Sequence, residues 1–208
     1  WIHCQHLIVD NQKMSKSLGN FYTLRDLLEK DYDPMEIRYL LISAHYRKML
    51  NFTFDGLIQA RQSLKRIKDF IFTLEGLKPE EGENPEITKL VQGSEAKFQE
   101  NMDNDFNISG GLGVLFEFIR DVNLKQKELK KEDIKNILDF IYRLDTVLGV
   151  IKKEEAADLD AEIEAKIAER QAARKAKNFQ LADAIRDELK AKGITLIDTP
   201  EGVRWKKA

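Results

Sequence analysis

Residues 13–20 read Lys-Met-Ser-Lys-Ser-Leu-Gly-Asn, and their types suit a loop that grips phosphates. Lys13 and Lys16 supply cations for anionic oxygens. Ser15 and Ser17 supply hydroxyl donors, and Gly19 lets the backbone turn tightly or come close to a ligand. The string is not the phosphate loop GxxxxGK[ST], which is absent. The plain alternative is a surface loop with two lysines. A second group, His3, Cys4 and His6, carries metal-ligand chemistry. Zinc asks for three or four ligands in fixed geometry. On a strand His3 and His6 point to opposite faces, and only Cys4 and His6 share one. No metal is therefore expected here, and Cys4 is expected to be a small, partly buried apolar residue.

The elements that must position these groups are mostly helical. Leu7-Ile8-Val9 reads as a strand leading into the lysine loop. Thr23 and Asp26 form a capping-box start for a short helix through about Glu29. Asp33-Pro34-Met35-Glu36 is a stronger start, with Asp33 as N-cap and proline at the first helical position. Thr53 opens a long helix with Phe54, Leu57, Ile58, Leu64, Ile67, Ile71 and Leu74 on one face. Gly76 to Pro85 reads as a loop. Helical patterns follow at roughly 86–101, 108–129 and 132–151. The stripes Leu112, Leu115, Phe116, Ile119 and Ile134, Leu138, Ile141, Leu144, Leu148 read as bundle core. A charged, alanine-rich stretch from Lys152 to Glu162 reads as a linker. Beyond it, Ala161–Ala176 and Phe179–Lys192 read as two helices, with Gly193 closing the second. Ile194–Asp198 and Val203–Lys206 flank Thr199-Pro200-Glu201-Gly202 as a hairpin.

Composition sets the bounds. The chain has 208 residues, 42% of them hydrophobic and 34% charged, enough for one large or two modest cores. A single cysteine excludes an internal disulfide and suits a reducing, cytoplasmic compartment. No apolar run approaches the ~20 residues that span a bilayer, so no membrane partner is expected. The first residues show no signal-peptide pattern and begin as if in mid-strand, which suggests a fragment. The net charge is -2, but its distribution is uneven. Residues 75–105 carry nine acids against three bases, and residues 166–192 carry eight bases against four acids. The basic helical stretch is either a phosphate-facing surface or a solvated face laced with ion pairs.

The order of motifs adds an identity. Lys13–Asn20, then Thr23-Leu24-Arg25-Asp26 and Ile37-Arg38-Tyr39-Leu40-Leu41, resembles the KMSKS region of class I aminoacyl-tRNA synthetases entering its helical bundle. Ser43-Ala44-His45-Tyr46-Arg47 with Leu50-Asn51-Phe52, Met102-Asp103-Asn104-Asp105-Phe106-Asn107, Arg170–Phe179 and Ala182–Leu189 narrow the resemblance to cysteinyl-tRNA synthetases. It covers essentially the whole chain, in order. It implies a mainly α architecture with four parts. Residues 1–32 end a catalytic region with the KMSKS loop, and 33–152 form a helical-bundle tRNA-binding domain. Residues 153–165 are a linker, and 166–208 form a small anticodon-binding α+β unit of two helices and a β-hairpin.

The resemblance also implies chemistry. In the family the loop closes over ATP and stabilises pyrophosphate leaving as cysteine is adenylated, before cysteine passes to its tRNA. Lys13, Met14, Ser15, Lys16 and Ser17 would then bind ATP, accompanied by magnesium, with Lys16 and then Lys13 as the catalytic contacts. Cysteine itself, and the zinc that binds its thiol, would be held by a catalytic region carrying a HIGH string, which does not occur here. The segment alone is therefore expected to be inactive. Anticodon contacts fall on Arg174, Asp183 and Asp198, whose guanidinium and carboxylates can pair with base edges. Phe179 and Trp205 would stack on bases or pack between helices and hairpin. His45 and Arg47 would either hydrogen-bond between domains or touch the tRNA acceptor arm, and Arg61, Lys65, Arg66 and Lys68 would line the tRNA or be solvated. Two rival readings are a cysteine:sugar ligase of the mycothiol pathway, which lacks an anticodon unit, and a non-catalytic helical RNA-binding protein.

Overall fold

The computed structural model describes residues 1–151, 158–176, 178–199 and 202–207, with positions 158–162, 198, 199, 202, 204, 206 and 207 described by their backbone. The chain divides into two compact units, Trp1–Lys152 and Lys153–Ala208.

The first unit begins with a small sheet of order β2-β1-β3. Strand β1 is Leu7–Val9, β2 is Gln12–Lys13 and β3 is Leu50–Phe52. Asp10 and Asn11 turn β1 back onto β2 at φ 48° and 60°, a left-handed conformation that Asp and Asn tolerate better than most residues. Asn51 holds this turn. Its Oδ1 accepts from the Asn11 amide at 2.8 Å and its Nδ2 donates to Asn11 Oδ1 at 3.0 Å. β3 pairs in parallel with β1, Val9 opposite Phe52. Sequence periodicity does not reveal β3, because three residues are too few to show alternation. Residues 1–6 lie outside the strand, so the face argument for His3 and His6 does not apply. Cys4 is exposed, not partly buried as expected. It precedes the paired strand, so no sheet face covers it.

The helices start where side-chain caps dictate. Thr23 and Asp26 cap α1 (Leu24–Leu28) reciprocally, and the Thr23 backbone hydrogen bond holds the Asp26 carboxyl below its ordinary range. Asp33 and Glu36 do the same for α2 (Pro34–Ser43). Thr53 Oγ1 accepts from the Gly56 amide at 2.9 Å and opens α3 (Phe54–Gly76). Then come α4 (Pro85–Asp103), α5 (Ile108–Leu124) and α6 (Lys131–Leu148). The last two are shorter than their patterns suggest. A 3-10 turn at Gln126–Glu128 intervenes, and Gly149 at φ 62° ends α6. Arg38 of α2 donates to the Leu148 carbonyl at 2.7 Å, placing a cation at the negative end of α6.

One core joins all six helices to the sheet through residues such as Val9, Phe52, Leu57, Phe118 and Phe140. The buried arc of α6 runs through Ile137, Phe140, Ile141, Leu144 and Leu148, while Ile134 and Leu138 pack only at its edge. Ile58, on the expected apolar face of α3, is exposed; Ala60 and Phe70 are buried with Leu57, Leu64, Ile67, Ile71 and Leu74. A helix flanked by neighbours on a narrow arc leaves its marginal apolar positions in water. Asp133 is buried and accepts from the Asn84 amide at 2.9 Å and the Lys130 amide at 2.8 Å, tying the 77–84 loop to the start of α6.

In the second unit α7 is Asp158–Lys175 and α8 is Phe179–Ala191, followed by β4 (Ile194–Thr199) and β5 (Gly202–Lys207) as an antiparallel pair. Residues 158–160, inside the stretch read from sequence as linker, are already helical, so α7 starts three residues before the predicted Ala161. The reason is the i, i+4 pair Ile163 and Ile167, which is buried with Ile185, Leu189 and Ile194. Asn178 caps α8, its Oδ1 accepting from the Leu181 amide at 3.2 Å.

Helices α4 and α5 approach closely at a glycine pair. A Cβ on Gly110 would lie 1.9 Å from Asn101 Oδ1, and one on Gly111 would lie 2.9 Å from the Phe98 ring. Gly110→Ala is therefore expected to destabilise the protein by about 1–3 kcal/mol, measured by chemical denaturation. Unchanged stability would show that the Asn101 side chain swings aside at no cost.

Candidate ATP loop and nucleic-acid interface

The lysine loop is organised by one side chain. Asn20 Oδ1 accepts from the Ser15 amide at 2.8 Å, and Asn20 Nδ2 donates to the Lys13 carbonyl at 3.1 Å. Between these anchors, Lys16–Leu18 forms a single 3-10 turn that ends at Gly19, φ 68°, whose amide donates to the Lys16 carbonyl. An L-residue with a side chain would be strained there. Ser15 Oγ and Ser17 Oγ share a hydrogen bond of 2.8 Å, and Met14 packs on the edge of the core. Lys13 and Lys16 are exposed. Lys16 Nζ lies 5.4 Å from the Phe21 ring centre, so its charge rests on an aromatic face. Neither lysine forms an ion pair among the described residues. Asn20 was part of the sequence motif, but its role as the clasp of the loop emerges only from the fold.

His45, Tyr46 and Arg47 follow α2 and converge on the turn between α4 and α5. His45 Nε2 lies 2.9 Å from the Asp105 carbonyl, and its ring stacks on Tyr46 with centres 4.7 Å apart. The Tyr46 hydroxyl donates to Asp105 Oδ1. Arg47 Nε lies 2.9 Å from Asp105 Oδ2, and hydrogen bonding to Tyr46, then the Asp105 charge, raises its already high pKa. The His45 hydrogen bond lies within the first unit, whereas the sequence reading expects a bond between domains or contact with the tRNA acceptor arm. Among the basic positions on α3, Arg61 grips the buried Glu36 with two bonds of 2.6 and 3.0 Å, and Arg66 lies 4.9 Å over the Phe116 ring. Lys65 and Lys68 are exposed.

In the second unit Phe179 is 62% exposed at the start of α8, which leaves its ring face open to a ligand. Trp205 is half-buried and packs on the small core with Leu196 and Val203. Arg174 and Lys175 are exposed in the last turn of α7. Asp183 is exposed and pairs with Arg186 at 3.2 Å. Asp198 lies in β4 opposite Val203. Its side chain, like all of Lys177, lies outside the described residues. Lys166 bridges the helices to Glu188 at 3.2 Å, a hydrogen bond that raises the lysine pKa and lowers that of the carboxyl.

Comparison with known proteins agrees with this arrangement. Residues 1–62 match the family described as tRNA synthetases class I (C) catalytic domain, 97–152 the DALR domain, and 156–205 the cysteinyl-tRNA ligase anticodon binding domain. Among solved structures, the fold resembles a ternary LeuRS–tRNA–LeuAMS complex of Agrobacterium radiobacter K84, with TM-score 0.56 and 19% identity, over 68% of this chain and 20% of that one. Both likenesses are to class I aminoacyl-tRNA synthetases. Cysteine–tRNA ligases of Brachyspira hyodysenteriae, Chlamydia muridarum and Solibacter usitatus are 44%, 43% and 44% identical over the whole of this chain and 45%, 46% and 45% of their own lengths. The chain is similar to cysteine–tRNA ligases along its whole length, and it spans a little under half the length of these relatives.

If Asn20 clasps the loop, Asn20→Ala should speed amide hydrogen exchange at Ser15 about fivefold, the loss of one hydrogen bond's protection. Equal exchange at Ser15 in both proteins would remove Asn20 from that role.

Proposed function

We propose that this chain supplies the ATP-side loop and the tRNA-recognition surfaces of a cysteine–tRNA ligase. The observation that carries the proposal is the ordered match of three family descriptions, coinciding with an exposed, clasped pair of lysines in the first unit. In the reaction, cysteine and ATP give cysteinyl-adenylate and pyrophosphate, and the cysteinyl group then passes to the terminal adenosine of its tRNA. Lys16 and Lys13 would meet the charge that builds on the departing pyrophosphate, with Ser15 and Ser17 donating to phosphate oxygens and Met14 seating the loop. Magnesium would accompany the nucleotide. No group of three His, Cys, Asp or Glu among the described residues could hold a metal, so a thiol-binding zinc does not fit residues described here. None of the helices described is long and apolar enough to cross a membrane. We place the ligase in the cytoplasm, where tRNA is charged.

For the second unit we propose anticodon reading. Arg174, Asp183 and Asp198 would pair with base edges, and Phe179 would stack on an unpaired base, with Trp205 holding the hairpin beneath it.

In the active ligase, Lys16→Ala should slow single-turnover adenylation on the order of a hundredfold. An unchanged rate would exclude the leaving-group role. Asp198→Ala should narrow the affinity gap between cysteine tRNA and an anticodon-swapped tRNA by about 1–3 kcal/mol. Lys190→Ala, a phosphate contact, should weaken both tRNAs alike. Titrations at fixed salt separate the two outcomes. Equal losses from both substitutions would remove Asp198 from base recognition.

A further inference from the structure

Asp105 and Phe106 both have positive φ, 58° and 53°. A left-handed aspartate is common, but a left-handed phenylalanine is an outlier that persists only where its surroundings hold it. The holding groups are on the page. The Asp105 carboxylate takes the Tyr46 hydroxyl and the Arg47 guanidinium, and the Asp105 carbonyl lies 2.9 Å from His45 Nε2. The Phe106 and Asn107 amides donate to the carbonyls of Met102 and Asn101 at 3.1 and 2.9 Å. Four side chains and two backbone bonds thus fix a conformation whose outcome is a phenyl ring left 61% exposed. Burial does not explain this ring, whereas Ile108, two residues on, packs on the core.

The register of the sheet says where the ring stands. β2 runs antiparallel to β1, Lys13 opposite Ile8, so the chain leaves β2 for the KMSKS loop beside the start of β1. β3 is parallel to β1, Leu7 opposite Leu50, so residues preceding β3 lie at that same end. The Gln5 amide donates to the Tyr46 carbonyl at 2.8 Å and closes the arrangement. The Asp105 clamp and the lysine loop therefore share one end of the sheet. Beside the clamp, the Arg47 side chain is 67% exposed and offers a cation.

The exposed Phe106 ring directly follows the aspartate that holds the Arg47 guanidinium, and an aromatic ring with a nearby cation suits single-stranded nucleic acid, the ring stacking on a base and the cation meeting the phosphate. We propose that Phe106 stacks on an unpaired base at the 3′ end of the bound tRNA, with Arg47 on the adjoining phosphate, and so steers that end toward the KMSKS loop. This rests on the reading of the chain as part of a tRNA ligase, and it adds a contact in the first unit, apart from the anticodon.

The test uses the 208-residue chain and cysteine tRNA carrying 2-aminopurine in its unpaired 3′ end. Wild type should quench the probe, and Phe106→Leu should abolish the quenching and weaken binding about tenfold. Phe106→Trp should retain both. A tRNA trimmed of its unpaired 3′ nucleotides should bind wild type and Phe106→Leu equally. Quenching that survives in Phe106→Leu overturns the proposal. So does an equal loss for intact and trimmed tRNA, which would mean that Phe106 acts through the fold or meets another partner. If wild type does not discriminate cysteine tRNA from the anticodon-swapped tRNA, the anticodon reading fails, and the 3′-end comparison still judges Phe106 by itself.

Discussion

The parallel pairing of β1 with β3 is the contact on which the first unit depends. Parallel strands cannot be joined by a tight turn, so the chain must leave the sheet and return, and here it does so through the lysine loop, α1 and α2. Val9 and Phe52, opposite each other in the register, are both almost fully buried. Phe52 also meets Tyr22 and Phe54, and Phe54 stacks with Tyr32. This aromatic cluster pins the exit of the lysine loop and the starts of α2 and α3 to one place. The same pairing brings residues 45–47 alongside Gln5 and so sets the Asp105 clamp at the loop's end of the sheet.

Charged side chains in this protein divide into joints and free groups. A charge taken out of water needs a partner with good geometry. Glu36 has Arg61 and Asp133 has two backbone amides, while the part-exposed Asp105 has Arg47 and Tyr46. Each of these joints links segments far apart in sequence. The surface pairs, such as Lys125 with Glu86 and Lys131 with Glu81, lie in water and hold little. Lys13 and Lys16 belong to neither set. They sit on a loop closed by neutral hydrogen bonds from Asn20, which leaves their charge for a ligand.

Much of this was legible in the residues alone. The caps at Thr23, Asp33 and Thr53 are local chemistry, decided within four residues of chain, and the helix starts they imply are the ones observed. The long amphipathic stripes and the C-terminal hairpin follow from periodicity and turn residues. The lysine loop was legible as a loop because it carries no apolar periodicity and ends in a glycine. Tertiary structure decided what depends on a partner distant in sequence. Strand β3 exists because β1 lies beside it, and Ile58 is exposed because no neighbour reaches its side of α3. Helix α7 extends into a charged stretch because Ile163 finds Ile185 and Leu189. Asn20 became a clasp, Asp105 a hub and Phe106 an exposed ring for the same reason: hydrogen bonds and burial are settled by which segments meet, and residue order alone does not state that.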